Sequence, residues 1–245
     1  MTRAAIYRED LAYIHHAGFG DFATRSAPQL LRILRRAGVR HGTLVDLGCG
    51  SGLWARAARR AGFNVIGVDQ SPAMIRLARR VAPAAQFRCD SLHDLNLPAC
   101  DVVTIIGEGL NYLPATKPSP PHSPVRLFKR IAKALRPDGL LIFDIIIAGN
   151  PSLDRRLWRT GTDWAVLIER KENPAQQLLT RSLITFRKIR SAWRRGDEVH
   201  RVRIFKAAAI RTALRVAGFS VRTARHYGKF PLPPGRLAFI ARKRG

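Results

Sequence analysis

Apolar positions along the chain switch repeatedly between two periods. From residue 28 to residue 147, short apolar runs of strand type alternate with stretches in which apolar residues recur every three or four positions. Residues 28–36 read as an amphipathic helix with Pro28 in its first turn. Residues 43–47 form a short apolar strand, and residues 53–61 a helix that ends at Gly62. A second strand covers residues 64–68. Ser71 is placed as an N-cap with Pro72 at the first helical position, opening a helix to about Val81. Residues 85–89 and 101–106 are the third and fourth strands. Residues 124–135 are a helix that stops at Pro137-Asp138-Gly139, and residues 140–147 are a fifth strand. Strands spaced by single helices need right-handed crossovers, which predicts a doubly wound α/β fold with helices on both faces of a parallel sheet.

The pattern changes after Gly149. Residues 164–169, 178–190 and 198–205 alternate apolar and polar, and Arg194-Arg195-Gly196-Asp197 reads as a hairpin turn. These predict three antiparallel strands, inserted as a small β cap. Helical periodicity returns at residues 207–216 and ends at Gly218, followed by strands over 219–225 and 237–242. The chain therefore divides into an N-terminal segment (1–27), a core (28–149 and 206–245) and an inserted cap (150–205). Residues 117–124 form a Pro-rich loop too short to link domains.

Composition narrows the class. Hydrophobic residues make up 46% of the 245, enough for a sizeable core. The three cysteines, Cys49, Cys89 and Cys100, form no C-x-x-C pair, so no zinc knuckle, redox motif, disulfide framework or other metal site is expected, and a reducing cytoplasm is the expected compartment. The opening MTRAAIYREDLAYIHH carries charge where a secretory signal needs an apolar run. The longest apolar stretch, near residues 140–148, is interrupted by Asp144 and too short to span a bilayer, so a soluble protein with no membrane partner is expected. The net charge of +26, from 43 basic and 17 acidic residues, raises nucleic acid as a partner. Lysine supplies only 8 of those basic residues, and the arginines spread along the whole chain, a pattern that coding bias also produces. Nucleic acid is therefore a possible partner but not the favoured one.

The chemistry concentrates at strand ends. Val45-Asp46-Leu47-Gly48-Cys49-Gly50-Ser51-Gly52 closes the first strand and opens a helix. Its glycines permit a tight turn and close approach of a ligand, and the free amides at the helix start favour an anionic group. Dinucleotide oxidoreductases use similar loops, so context decides. Asp69 ends the second strand, where a carboxylate can accept from both hydroxyls of a ribose. Asp90 ends the third, where it can accept from the exocyclic amine of adenine, with the amide of Ser91 or Leu92 beside it. Ligands of open α/β sheets bind at these carboxyl ends.

Together VDLGCGSG, VIGVDQSPAMI, FRCDSLHDL, DVVTIIGEGLNYL and LRPDGLLIFDI resemble the successive motifs of class I S-adenosylmethionine-dependent methyltransferases of small-molecule type, over about residues 28–147. The resemblance implies a Rossmann-like, mostly parallel sheet of seven strands with an antiparallel last strand. It also implies S-adenosyl-L-methionine as cofactor, methyl transfer to an N or O atom, and a small-molecule acceptor. Carried over by motif, Gly48, Gly50 and Gly52 face the methionine end, Asp69 takes the ribose, Asp90 and Ser91 address the adenine, and Asp46 supports the loop. Cys49, Gln70 and Met74 are carried over with them as cofactor-binding positions. Tyr7, Tyr13 and His15 resemble the aromatic lid with which such enzymes often begin; the same pattern also fits a surface helix packed on the sheet edge. Glu108 with Asn111-Tyr112-Leu113 resembles an acidic-then-N-Y-L pattern, giving Glu108 either a contact with the cofactor amine or acceptor, or the role of a loop cap. The N/D-P-P-Y/F motif of base amino-methylating enzymes is absent, and Cys100 is poorly placed for a 5-methylcytosine enzyme.

Candidate bases are His15, His16, His93, Glu108, Tyr112, His200 and Tyr227; His15 and Glu108 are the preferred pair. In the cap, Trp158, Trp164, Phe186 and Trp193 either wall an acceptor pocket or form the cap's own core. Its many arginines suggest an acidic acceptor or a solvated face. An RNA- or protein-directed methyltransferase and a non-catalytic cofactor-binding module remain the competing functions, and the oligomeric state is not derivable.

Overall fold

The computed structural model describes residues 6–113, 123–149 and 153–244; most of the expected Pro-rich loop lies outside them. The chain forms α1 (Glu9–Phe19), α2 (Asp21–Arg36), β1 (Gly42–Leu47), α3 (Leu53–Arg60), β2 (Phe63–Asp69), α4 (Pro72–Val81), β3 (Gln86–Cys89) and β4 (Cys100–Ile105). There follow α5 (Pro124–Ala134), β5 (Leu135–Ile146), β6 (Arg155–Thr160), β7 (Trp164–Asn173), β8 (Leu178–Ile189) and β9 (Ala192–Arg203). The chain closes with α6 (Ala207–Val216), β10 (Phe219–Ala224), β11 (His226–Tyr227), β12 (Phe230–Pro231) and β13 (Arg236–Lys243).

The main sheet has seven strands in the order β10-β13-β5-β4-β1-β2-β3. β1 to β5 pair in parallel, and the last strand, β13, runs antiparallel to both neighbours. This is the doubly wound sheet expected from the alternating periods. Its central strands are buried on both faces, which is why β5 reads as an almost unbroken apolar run. One face packs on α5 and α6 through Phe128, Ile131, Ile210 and Leu214. The other packs on α2, α3 and α4 through Leu30, Leu34, Trp54, Ala58, Ile75 and Ala78. Ser71 caps α4 as expected, its Oγ accepting from the Met74 amide at 3.1 Å.

Four local expectations need correction. The first core helix begins at Asp21, and Pro28 sits inside it. The proline forfeits one helical bond, but Ala27, Leu30, Ile33 and Leu34 bury the face that follows, and that burial holds the helix together. The cap has four strands, β6-β7-β8-β9. β6 carries too many charges to show an apolar period, as edge strands often do. The hairpin between β8 and β9 turns at Arg190-Ser191, with Arg190 in the left-handed region (φ 56°), while Gly196 lies within β9 opposite Thr185. Residues 135–139 belong to β5 and form a bulge against Cys100 and Val102 rather than a break before the strand.

The cap stands on two neighbouring chain ends. Ile147 bridges Phe205, and the Ala148 amide donates to the Phe205 carbonyl at 2.9 Å. Asn111, fully buried, ties this root to the core: its Nδ2 donates to the carbonyls of Ile146 and Arg203, and its Oδ1 accepts from the Ile146 amide. α1 is wedged between cap and core. Leu11 and Ile14 pack with Trp164, Val166, Ile168 and Leu183 of the cap, and Ala12 packs on Ala73 and Met74 of α4. No helix among the described residues is long and apolar enough to cross a membrane.

Candidate functional site

The tips of β1 to β4 form the floor of a cavity of about 520 Å³, roofed by α1 and the cap. That volume lies in the range of small-molecule and cofactor sites. The floor starts at the glycine turn after β1. The amides of Gly48 and Cys49 donate to the Val68 carbonyl at 2.7 and 3.0 Å, which fastens the turn to β2. Gly48 (φ 72°) and Gly50 (φ 53°) adopt left-handed backbone and line the cavity, and a Cβ on Gly50 would meet nothing within 4 Å. Cys49 also lines it, its thiol pushed up by burial.

Gly52 does not line the cavity. It is the N-cap of α3 in the left-handed region, and a Cβ there would sit 3.1 Å from Ala78. Its glycine serves the close packing of α3 on α4, and the structure does not bring it to the cavity wall with Gly48 and Gly50.

Asp69 orients this floor. Its Oδ2 accepts from the Gly50 amide at 3.0 Å and its Oδ1 from the Ser71 amide at 2.9 Å. Burial raises its carboxyl above the usual range, and the two amides oppose that rise. A carboxylate has about four acceptor sites, so two remain for a ligand. Asp90 lies at the rim with its Oδ1 accepting from the Ser91 amide at 2.7 Å, and Ser91, Gln70 and Met74 line the same wall. Below them Trp54 Nε1 donates to Thr104 Oγ1 at 3.1 Å, and that hydroxyl donates to Asp46 at 2.8 Å. Burial, with the charge of Asp69 adding to it, pushes the Asp46 carboxyl up to about 7 against the Thr104 hydrogen bond.

The roof begins with Tyr7, whose backbone is left-handed (φ 53°). The Tyr7 amide donates to Glu198 Oε2 at 2.7 Å, the Arg8 amide donates to Glu198 Oε1 at 2.9 Å, and Ser71 Oγ donates to the Tyr7 carbonyl at 2.7 Å. Residue 7 is thus strapped to the cap on one side and to the core on the other. The hydroxyls of Tyr7 and Tyr112 lie 2.6 Å apart, both kept protonated by burial. His15 lines the cavity edge-on to Tyr7 and stacked on Phe19. Burial pushes its imidazole down to about 4, with the Glu108 carboxylate pulling the other way, so it is neutral near pH 7.

Glu108 lies at the centre in left-handed backbone (φ 64°). Each of its oxygens accepts from a guanidinium: Arg181 of β8 and Arg236 at the start of β13. Burial alone would raise this carboxyl, but the two guanidiniums outweigh it and hold it below the usual range. Arg236 also reaches the fully buried Asp144, which accepts from Tyr227 Oη at 2.9 Å and the Gly107 amide at 2.8 Å. Glu108 is therefore a fixed anion. The role of proton acceptor given to it at the outset does not suit a carboxylate engaged on both oxygens.

Of the other candidate bases, His93, Tyr112 and His200 line the cavity, whereas His16 and Tyr227 do not. His16 Nδ1 pairs with Ser51 Oγ at 2.9 Å, and Tyr227 supports Asp144. His200 Nε2 lies 2.9 Å from Glu198. Of the two roles open to the cap's aromatics, Trp164 takes part in a core, packing with α1 and with Val166, Ile168 and Leu183 of the cap, while Trp158 and Trp193 are exposed and Phe186 does not reach the cavity. The cap instead contributes Arg159, Val166, Ile168, Arg170, Arg181, Leu183 and His200. Sequence reasoning missed Arg170, Arg181, Arg236 and Asp144 as site residues. Two signals were present: Asp144 interrupts an apolar strand, and Arg181 falls on the face that Leu179 and Leu183 bury.

Comparison with known proteins accords with this geometry. A family profile described as "Methyltransferase domain" matches residues 20–224. The ubiquinone biosynthesis O-methyltransferase of Actinobacillus pleuropneumoniae serotype 7 (strain AP76) is 30% identical over 114 residues, covering 42% of this chain and 45% of that protein. The match thus spans less than half the length of that curated relative. The fold is shared with a crystal structure of an S-adenosylmethionine-dependent methyltransferase from Clostridium acetobutylicum ATCC 824 (TM-score 0.78, 18% identity, 96% of this chain and 98% of the other). It is also shared with the sugar N-methyltransferase KedS8 from Streptoalloteichus sp ATCC 53650 (TM-score 0.75, 19% identity, 100% and 95%). The profile match over most of the chain, on a doubly wound sheet whose strand tips floor one cavity, means that this protein belongs to the methyltransferase-domain family.

Proposed function

We propose that the chain transfers a methyl group from S-adenosyl-L-methionine to a nitrogen or oxygen atom of a small-molecule acceptor. The observation that carries this reading is a single continuous cavity whose floor is the strand tips and whose roof is the cap and α1. The O-methyltransferase and sugar N-methyltransferase among the related proteins support both kinds of acceptor atom. The floor suits the cofactor part by part. Asp69 keeps acceptor sites free for the ribose hydroxyls, and Asp90 with Ser91 stands at the adenine end. Gly48, Cys49 and Gly50 leave room at the methionine end, while Gln70, Met74 and Tyr7 complete the walls.

The cofactor, when bound, supplies a methyl group on a positively charged sulfur. This chain's residues then have three tasks: to align the acceptor, to exclude water and to take a proton when the acceptor must lose one. Val166, Ile168, Leu183, Leu11 and Phe19 give the roof an apolar surface that sheds water. The protonated Tyr7 and Tyr112 hydroxyls orient the acceptor by hydrogen bonds. His15, neutral and facing the cavity, is the group assigned to take the proton, by its place at the roof beside Tyr7 rather than by its base strength, which burial weakens. In this reading the N-terminal segment and the inserted cap act together as the acceptor roof over the core.

The test is transfer of labelled methyl from S-adenosyl-L-methionine to pooled small amines and alcohols, with bulk RNA and protein assayed in parallel. Label in the small-molecule fraction is expected. Label confined to acid-precipitable RNA or protein would overturn the small-molecule reading.

A further inference from the structure

The four strands of the cap carry basic side chains in a row straight across the sheet. Arg155 pairs with Arg170, Arg170 with Arg181, and Arg181 with His200. Directly opposed residues share a face, and like charges placed so are destabilising unless compensated. Arg170, Arg181 and His200 all face the cavity. Arg181 is compensated by Glu108 and by Tyr112, whose hydroxyl accepts at 3.1 Å, and His200 is paired with Glu198.

Arg170 has no such partner. Among the described residues no hydrogen bond or ion pair reaches its guanidinium, and its Nε is buried without an acceptor. Three guanidiniums, of Arg170, Arg181 and Arg236, stand around two carboxylates, of Glu108 and Asp144, which Arg181 and Arg236 already occupy. A guanidinium drawn out of water without an anion is costly, and a ligand can supply the missing charge. On the same strand faces, Val166, Ile168 and Leu183 give the roof an apolar stretch next to Arg170. The roof thus sets Val166, Ile168 and Leu183 beside the Arg170–Arg181 pair, with Arg159 opposite Val166 at its far edge.

We propose that Arg170 binds an oxyanion of the acceptor, a carboxylate or a phosphate, so that the acceptor is an anionic small molecule whose apolar part lies beneath Ile168 and Leu183. This rests on the methyl-transfer reading above. The planar guanidinium can grip two oxygens in parallel, which orients the acceptor as well as holding it. The floor's own groups serve the donor, so a substitution at residue 170 acts on the acceptor side alone.

The experiment uses the whole chain, labelled with ¹⁵N-arginine and saturated with S-adenosyl-L-homocysteine. Sodium phosphate and sodium acetate are titrated at constant ionic strength while the arginine Nε–H signals are followed. The Arg170 signal, assigned by its loss in Arg170→Gln, shifts saturably, and the tighter of the two anions identifies phosphate or carboxylate as the source. Arg170→Gln weakens anion binding by roughly tenfold or more. Arg170→Lys, which keeps the charge without the fork, falls between. S-adenosyl-L-homocysteine affinity stays within about twofold in both variants, and the exposed Arg215→Gln changes neither quantity. An Arg170 signal that ignores both anions would overturn the proposal, as would equal anion binding by wild type and Arg170→Gln. A large loss of S-adenosyl-L-homocysteine affinity in Arg170→Gln would overturn it by giving Arg170 to the cofactor. Absence of S-adenosyl-L-homocysteine binding in the wild type would sink the methyl-transfer reading and this one together.

Discussion

Asp46 shows how a single buried carboxyl couples the fold to the ligand. Its carboxyl, pushed up to about 7, is still protonated over much of the range where a free aspartate is ionised. A cationic cofactor above β1 favours the ionised form. Affinity for S-adenosyl-L-methionine therefore rises as pH increases through about 7, with release of a proton on binding. Calorimetry in buffers of different ionisation enthalpy checks this, and a flat dependence would contradict it. The same shift makes the free protein lose stability as pH rises from about 4 to about 7, because the folded chain holds a proton that the unfolded chain has released. Asp46→Asn removes that slope and stabilises the free protein at pH 8 by a few kcal/mol, at ~1.4 kcal/mol per pKa unit. His15 behaves in the opposite sense. Burial holds its imidazole at about 4, so turnover that uses it as base stays level near neutral pH and falls as pH approaches 4. His15→Ala lowers kcat roughly 100-fold with little change in cofactor affinity; an unchanged kcat on an acceptor that must lose a proton would exclude the role. Asp69, Asp90 and the Gly48–Gly50 turn were legible because each sits at the end of its own strand. Arg170, Arg181 and Arg236 were not, since their meaning depends on Glu108, which lies more than 60 residues from the nearest of them.

Two connections between elements decide whether the roof stays on. Glu198 of β9 accepts from the amides of Tyr7 and Arg8, and Ser71 at the head of α4 holds the Tyr7 carbonyl. Glu198→Ala leaves both amides without an acceptor, a local cost of about 1–3 kcal/mol. Faster proteolysis at residues 6–8 and faster release of S-adenosyl-L-homocysteine are expected, measured by limited digestion and stopped flow; unchanged rates of both would argue that the strap is decorative. Asn111 joins the end of β5 to the end of β9 with three buried hydrogen bonds. Asn111→Ala should lower the unfolding free energy by about 2–3 kcal/mol in urea titrations, and a change under about 0.5 kcal/mol would show that the cap needs no such clip. At this scale α3 to α6 and the inner strands were readable from period and caps, as with Ser71 and α4, whereas α1 and the first turns of α2 were not. The cap's edge strand β6 was hidden by its charge, and the Arg190-Ser191 turn lacks the glycine that made Gly196 look like the turn.

Across the whole molecule the sheet order and its two apolar faces follow from the alternating strand and helix periods. What periodicity does not carry is the docking of α1 under the cap. Leu11 and Ile14 meet Trp164, Val166, Ile168 and Leu183 over separations of more than 140 residues. That contact roofs the cavity, so the strand-tip residues of its floor were visible in the sequence, whereas the packing of its roof emerged only with the tertiary fold. The central claim is that the tips of β1, β2 and β3 hold one adenosyl ligand in that cavity. Isothermal titration of the full chain with S-adenosyl-L-homocysteine tests it most directly. One molecule should bind per chain, with the affinity cut by roughly tenfold or more in Asp69→Ala. No heat from the folded wild-type protein, or equal binding by Asp69→Ala, would contradict it.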